Sequence, residues 1–168
     1  MNATQKAAFE LRFDDLKELC AGSEPLDGTL LAACSAHNPK ANLQVRVVRF
    51  LIKKGVSVNE IDKNGVTPLH RAVRFRSPAA AEELLANGAD VNAVDKKSNS
   101  TPLHRAVTNT GAPSTGGKHK EMLGLIKILL ANGADPDIKN KNGKLAIDYV
   151  KSEEMRRIFS VFDADNVT

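Results

Sequence analysis

Tryptophan is absent from this chain of 168 residues, tyrosine occurs once, and aromatic residues make up only 4% of it. Proteins that hold single-stranded nucleic acid stack its bases on aromatic side chains, so this scarcity argues against that mode of binding. Cysteine occurs twice, as Cys20 and Cys34, in apolar helical surroundings and without the spacing of a metal site. Buried, reduced thiols are therefore expected rather than a disulfide or a zinc centre, which favours a reducing compartment. No uninterrupted apolar run approaches the length that spans a bilayer, and "MNATQKAAFELRFDD" meets Asp14 and Asp15 before one could form. Neither a signal peptide nor a membrane anchor is expected. The expected location is the cytoplasm, and export into a host cell by a specialised route is compatible with the same features. What is present, 42% hydrophobic and 26% charged residues with a net charge of +4, is the composition of a globular chain long enough for one domain.

The chain repeats itself. "ELCAGSEPLD", "FLIKKGVSVN", "ELLANGADVN" and "ILLANGADPD" align on Gly22, Gly55, Gly88 and Gly133, the first three glycines lying 33 residues apart. Upstream of them, "NGVTPLHRAV" (64–73) and "SNSTPLHRAV" (98–107) are nearly identical, with "DGTLLAACSA" and "NGKLAIDYV" as degenerate copies. Thr67-Pro68 and Thr101-Pro102 can each start a helix, threonine capping free amides and proline preset for the first turn. Leu69 and Leu103 then point inward, while Ala72 and Ala106 let neighbouring helices approach. Leu84-Leu85 and Leu129-Leu130 supply the apolar side of a second helix. Gly88 and Gly133 end that helix with a left-handed cap, which is cheapest without a β-carbon.

In its period of 33 and its Thr-Pro-Leu-His-x-Ala hallmark the chain resembles the ankyrin-repeat family over nearly its whole length. The resemblance implies an all-α solenoid of stacked helix-turn-helix units with β-hairpin-like finger loops. It divides the chain into an N-terminal cap (1–26), repeats at 27–61, 62–94 and 95–138, and a C-terminal repeat or cap (139–168). "AAFELRFDDLKELCAG" reads as a first helix pair. "SEEMRRIFSVF" reads as a closing helix with Met155, Ile158, Phe159 and Phe162 inward and Arg156 and Arg157 in water.

The interval from Gly88 to Gly133 is 45 residues, twelve beyond the period. One extra residue lies in "DKKSNST", where Asn99 replaces the usual finger glycine and is expected in a left-handed turn. The other eleven form an enlarged interhelical loop, 109–120, before a helix expected over 121–130. Within that loop, "GAPSTGGKH" approaches a phosphate-loop spelling but has Ala112 and His119 where glycine and a hydroxyl belong, and no strand feeds it. His70 and His104 occupy the hallmark histidine position, where the resemblance implies a tie from the first helix to neighbouring turn backbone. No carboxylate or thiol cluster accompanies them, and no context positions a nucleophile. No catalytic residue, metal site or cofactor is expected.

In the family, partners dock on the concave surface made by finger tips and first helices. Carried over position by position, that surface comprises Lys63, Val66, Arg71, Arg74 and Phe75 in one repeat, and Lys96, Lys97, Asn99, Arg105, Thr108 and Asn109 in the next. Lys139, Lys141 and Lys144 follow at the closing turn. These positions are mostly basic, whereas Asp14, Asp15, Glu82, Glu83, Glu121, Glu153 and Glu154 fall in second helices or caps. The expected function is non-catalytic recognition, as adaptor, inhibitor or effector, of another protein through an acidic segment, by a monomeric chain with no membrane partner. Nucleic-acid binding through the same basic face is the competing, less supported reading. Phe75 is either an exposed anchor beside arginine or a residue covered by the enlarged loop. Asn59 and Asn92, each eight residues after a leucine, resemble sites of asparaginyl hydroxylation in the family, but the same asparagines simply fit the turn, which is the favoured reading.

Overall fold

The computed structural model describes residues 1–22, 24–36, 40–108 and 119–165, with side chains described as far as 162. Nine α-helices and one 3-10 turn follow one another along these residues, and no strand occurs among them. They fall into successive pairs: α1 (Ala3–Phe9) with α2 (Phe13–Leu19), α3 (Thr29–Ala33) with α4 (Ala41–Lys53), α5 (Pro68–Arg74) with α6 (Pro78–Ala86), and α7 (Pro102–Val107) with α8 (His119–Ala131). The 3-10 turn Ala146–Tyr149 with α9 (Glu153–Asp165) closes the series. First helices stack in one row, α1 on α3, α3 on α5, α5 on α7 and α7 on the 3-10 turn; α4, α6, α8 and α9 stack in a second. The core is the seam between the rows, where Leu30, Leu69, Leu103, Leu51, Leu84, Leu125 and Leu129 are all fully buried. Such a stack is stable because each pair buries its apolar side on its neighbours.

The starts of α5 and α7 follow from the repeated motif. Thr67 and Thr101 are the N-caps, their hydroxyls accepting the amides of His70 and His104 at 3.3 Å, with proline in the first turn. Gly88 and Gly133 have φ of +85° and +82°. Ala89 N–H and Ala134 N–H each donate back into the preceding helix at 3.0 Å, to Leu84 and Leu129. Asn99 adopts φ +49°, as its place in the glycine-less finger requires. Cys34 is buried and Cys20 partly so, both as free thiols, and burial raises the pKa of each. Helix α8 begins at His119, two residues before the expected start; residues 109–118, with nearly all of "GAPSTGGKH", lie outside the described residues.

Several ties cross from one repeat to the next. The backbone N–H of Thr67 and the Thr67 hydroxyl both point at Nδ1 of His70, at 3.3 and 2.9 Å, and Nε2 lies 2.9 Å from the carbonyl of Ser100 in the next finger. An amide can only donate and a carbonyl only accept, so the imidazole is neutral with its proton on Nε2. His104 repeats the arrangement, with Nε2 3.1 Å from the Lys144 carbonyl. Asn59 and Asn92 bridge the hairpin turns: each amide donates to the next glycine carbonyl, Gly88 or Gly133, and each oxygen accepts the amide of Asp90 or Asp135.

Two further ties were not anticipated from sequence. Helix α3 lacks a Thr-Pro start, and Glu60 from the turn that follows α4 caps it, accepting the amides of Gly28 and Leu31 at 2.8 Å. Burial raises the Glu60 carboxyl above its usual range, against those amides. Arg76, with φ +55° and only 5% exposure, ends α5 and reaches into the C-terminus of α7. Its guanidinium donates to the carbonyls of Val73, Arg105, Ala106 and Thr108 at 2.8–3.4 Å, a buried cation held by the negative end of a helix.

Replacing Arg76 by Ala removes the side-chain donor from all four carbonyls, of which Val73 keeps the Arg76 amide and Arg105 keeps the Thr108 hydroxyl. Urea unfolding is expected to show a loss of about 2–4 kcal/mol, while Arg74→Ala, at an exposed neighbour, changes stability by less than about 0.5 kcal/mol. Equal effects at the two positions would remove Arg76 from this role. His70 gives a second test, because burial lowers its pKa to about 4, below the value of about 6.5 in an unfolded chain. The unfolded state then binds the extra proton first, so the contribution is complete above pH about 6.5 and is lost as pH falls toward 4, on the order of 3 kcal/mol in all. The raised carboxyl of Glu60 titrates with the opposite sign, so the quantity to measure is the difference between the native chain and His70→Gln. Parallel stability profiles from pH 7 to 4 would contradict the assignment.

Candidate partner-binding face

Each finger is organised by the residue that opens it. In the second finger Asp62 Oδ1 accepts the amides of Asn64 and Val66 at 2.8 and 3.0 Å, folding the turn, and Oδ2 takes Nη2 of Arg71 at 2.7 Å. In the third finger Asp95, 1% exposed, accepts the amides of Lys97 and Ser98 and the Ser98 hydroxyl at 2.8–2.9 Å. Its Oδ2 also takes Nη2 of Arg105 at a longer 3.3 Å. The closing turn substitutes a neutral pair: Asn140 Oδ1 accepts the amides of Asn142 and Lys144, and its Nδ2 donates to the Tyr149 hydroxyl at 2.8 Å. The same geometry is therefore built twice with Asp and Arg and once with Asn and Tyr.

These turns are joined side by side. Lys96 N–H donates to the Asn64 carbonyl at 2.8 Å, and Lys141 N–H donates to the Ser98 carbonyl at 2.9 Å. Gly65, at φ +73°, allows the first junction: a β-carbon there would lie 3.1 Å from the Lys96 nitrogen and 2.9 Å from its side chain. The ammonium of Lys141 is also pinned, donating to the Lys96 carbonyl at 2.6 Å. The fingers thus form a hydrogen-bonded row beside α5, α7 and the 3-10 turn.

On this row the expected site residues divide into three groups. Lys63, Arg74, Lys96, Lys97 and Asn99 are exposed, and among the described residues no acidic side chain pairs with the four cations. Arg71 and Arg105 are half-buried and engaged by Asp62 and Asp95; Thr108 is half-buried, its hydroxyl donating to the Arg105 carbonyl. Val66 and Phe75 are corrections, since they retain only 7% and 8% exposure and offer a partner almost no surface. Val66 is drawn in by the amide bond that closes its turn on Asp62, and Phe75 sits at the buried C-terminus of α5. Phe75 is buried, as only the covered expectation requires, while residues 109–118 of the loop named there lie outside the described residues. Asn109 lies outside the described residues.

The electrostatics follow from these contacts. Burial opposes the charged form of Asp62, but the amides of Val66 and Asn64 and then Arg71 outweigh it and hold the carboxyl low. Asp95 is likewise held low against its burial, by Ser98 first and by Arg105 and Lys97 after it. Burial lowers the pKa of Arg105, Asp95 opposes that effect, and repulsion from Arg74 and Arg71 adds to it, so the three guanidinium groups share one field. Asp62 and Asp95 were missed as members of the site. Their signal was an aspartate at the head of "DKNGVTPLHR" and "DKKSNSTPLHR", each closed by an arginine.

The opposite side is less uniformly acidic than expected. Glu83 forms a two-pronged ion pair with Arg49 across α4 and α6, at 2.6 and 3.0 Å, and Arg46 lies 4.1 Å over the ring of Phe13. Among the described residues no group of three His, Cys, Asp or Glu side chains gathers as a metal site would, and no helix is long and apolar enough to cross a membrane.

Comparison with known proteins agrees with the architecture. The family described as "Ankyrin repeats (3 copies)" matches residues 5–95, and "Ankyrin repeat" matches 98–141. An ankyrin repeat protein of Fowlpox virus (strain NVSL) is 33% identical over 135 residues, which is 79% of this chain and 35% of that protein. A palmitoyltransferase of Danio rerio is 37% identical over 62% of this chain and 15% of its own length. The SMC5-SMC6 complex localization factor protein 1 of Bos taurus is 30% identical over 71% and 11%. The chain thus spans about a third or less of the length of these relatives, so what it shares with them is a repeat array and not their whole activities. Repeated helix pairs, hallmark histidines tying each finger to the next, and family matches across residues 5–95 and 98–141 together place this chain in the ankyrin-repeat family, whose arrays generally serve protein–protein interaction.

Proposed function

We propose that this chain is a non-catalytic recognition module that binds an acidic protein segment on the face formed by its fingers and first helices. The observation that carries this reading is the row of exposed cations, Lys63, Lys96 and Lys97 on turns that are already hydrogen-bonded to one another and Arg74 on the neighbouring helix α5. A partner meeting such a row orders little backbone, so its contact energy is not offset by folding of the site. Arg71 and Arg105 act differently from the exposed cations. Their bonds to Asp62 and Asp95 stiffen the fingers, while their charge adds to the field that steers an acidic segment inward. The roles of adaptor, inhibitor and effector share this mechanism and differ only in the protein bound.

Lys63→Glu, Arg74→Glu and Lys96→Glu together reverse three exposed charges and leave the Asp–Arg pairs intact. With melting temperature unchanged, the variant is expected to bind a partner captured by the native chain at least about tenfold more weakly, mostly through slower association that salt abolishes. Retention of every partner at native affinity would refute the face assignment. Tighter binding of arbitrary single-stranded DNA than of any captured protein, falling steeply with added salt, would favour the nucleic-acid reading instead.

A further inference from the structure

Between the third finger and the closing turn lies a cleft of about 520 Å³ whose lining includes Lys97, Ser98, Arg105, Lys141, Asn142 and Tyr149. We infer that this cleft is a phosphate pocket that receives a phosphorylated serine or threonine of the bound protein segment. The inference rests on the proposed partner-binding face and specifies what its acidic ligand is.

Charge selects the ligand first. Lys97, Lys141 and Arg105 line the cleft, and the carboxylate set against them is Asp95, which is buried beneath the finger and already bonded to Arg105. Three cations against one carboxylate leave two positive charges, which match a phosphate dianion, whereas a glutamate or aspartate side chain would neutralise only one. The donors point the same way. Tyr149 accepts the Asn140 amide at its hydroxyl oxygen, so the phenolic proton is left to donate elsewhere. Lys141 is fixed over the cleft by its two bonds to the neighbouring finger, through its amide to Ser98 and its ammonium to Lys96. Arg105 spends one nitrogen on Asp95 at 3.3 Å, and its buried Nε has no partner. An ammonium, a guanidinium and a phenol lining one cleft suit a group that accepts hydrogen bonds from several directions.

The same frame disfavours the phosphate of a nucleic-acid chain. The phenol ring of the cleft, Tyr149, packs edge-on against buried His104 at 6.4 Å and 66°, and is committed to the closing turn rather than offered to a base. The pocket arises where this chain departs from its own repeat. The third finger, "DKKSNST", is one residue longer than "DKNGVT" and carries Lys97 and Ser98, and Tyr149 of the 3-10 turn stands at the register position of Arg71 in α5 and Arg105 in α7.

The test uses the full chain and three degenerate peptide libraries, alike except for a fixed central phosphoserine, serine or glutamate, with an oligothymidylate as a fourth probe. The phosphoserine library is expected to bind about tenfold or more tightly than the glutamate library, and tighter still than the serine one. Lys97→Ala with Lys141→Ala, both at exposed side chains, should erase that preference while the chain stays folded, with a cooperative melt lowered by no more than the one bond from Lys141 to the Lys96 carbonyl accounts for. Equal binding of glutamate and phosphoserine peptides would overturn the pocket, as would a preference that survives the double variant, failure of every library to bind, or oligothymidylate binding as tightly as phosphopeptide. Its failure is separable from that of the face. A captured partner that depends on Lys63, Arg74 and Lys96 yet keeps its affinity after phosphatase treatment supports the face and refutes the pocket. A phosphoserine preference with no effect of those three reversals does the opposite.

Discussion

The bond between a hallmark histidine and the carbonyl of the next finger is the constraint on which this structure depends. It joins three things that stacking alone would leave independent: the start of a first helix, the turn preceding it, and the turn one repeat further on. His70 does this toward Ser100 and His104 toward Lys144. Because the imidazole accepts at one nitrogen and donates at the other, it can occupy that place only when neutral and only in one tautomer. The spacing between successive fingers is therefore set from inside the core, and the exposed lysines inherit their separation from it.

Polar groups inside the stack follow a common logic. At several helix ends a side chain from another element satisfies the backbone: Glu60 at the start of α3, Arg76 at the end of α7, Gln44 of α4 on the Ala33 carbonyl at the end of α3. Short helices make this necessary, because α3 and α7 span only Thr29–Ala33 and Pro102–Val107 and much of their backbone lies within a turn of an end. Arg76 combines an unfavourable backbone conformation with a buried charge, and three carbonyls at the negative end of α7, with that of Val73 in α5, compensate for both. Stacking and end-capping are thus the same set of contacts, which couples each repeat's stability to that of its neighbour.

The proposed partner-binding face has two kinds of cation with different work. Arg71 and Arg105 are structural first, since each closes a finger on the aspartate that shapes it. Lys63, Arg74, Lys96 and Lys97 have no such duty and are displayed. A lattice of backbone bonds between turns presents the lysines without a sheet, and the closing turn continues it with a neutral Asn–Tyr pair that leaves room for a cleft. The basic character of the face is therefore a balance between cations that are spent and cations that are not.

Much of this was written along the chain. Thr-Pro, Leu-His and the recurring glycines act on residues within one turn of themselves, through capping, fixed φ and the left-handed bend. Their consequences could accordingly be read at Thr67, Thr101, Gly88, Gly133 and Asn99 without any knowledge of neighbours. The positions of the fingers, and hence most of the basic face, followed from the period. What sequence could not decide were the properties that exist only between repeats. Val66 and Phe75 occupy positions that a linear register marks as exposed, and packing covered them. Glu60 and Arg76 read as ordinary surface charges until a helix end some thirty residues away in sequence is brought against each. Local backbone chemistry is determined by adjacent residues and is legible in their order; burial, charge pairing and the shape of a cleft are determined by what lies across the gap, and only the folded stack supplies it.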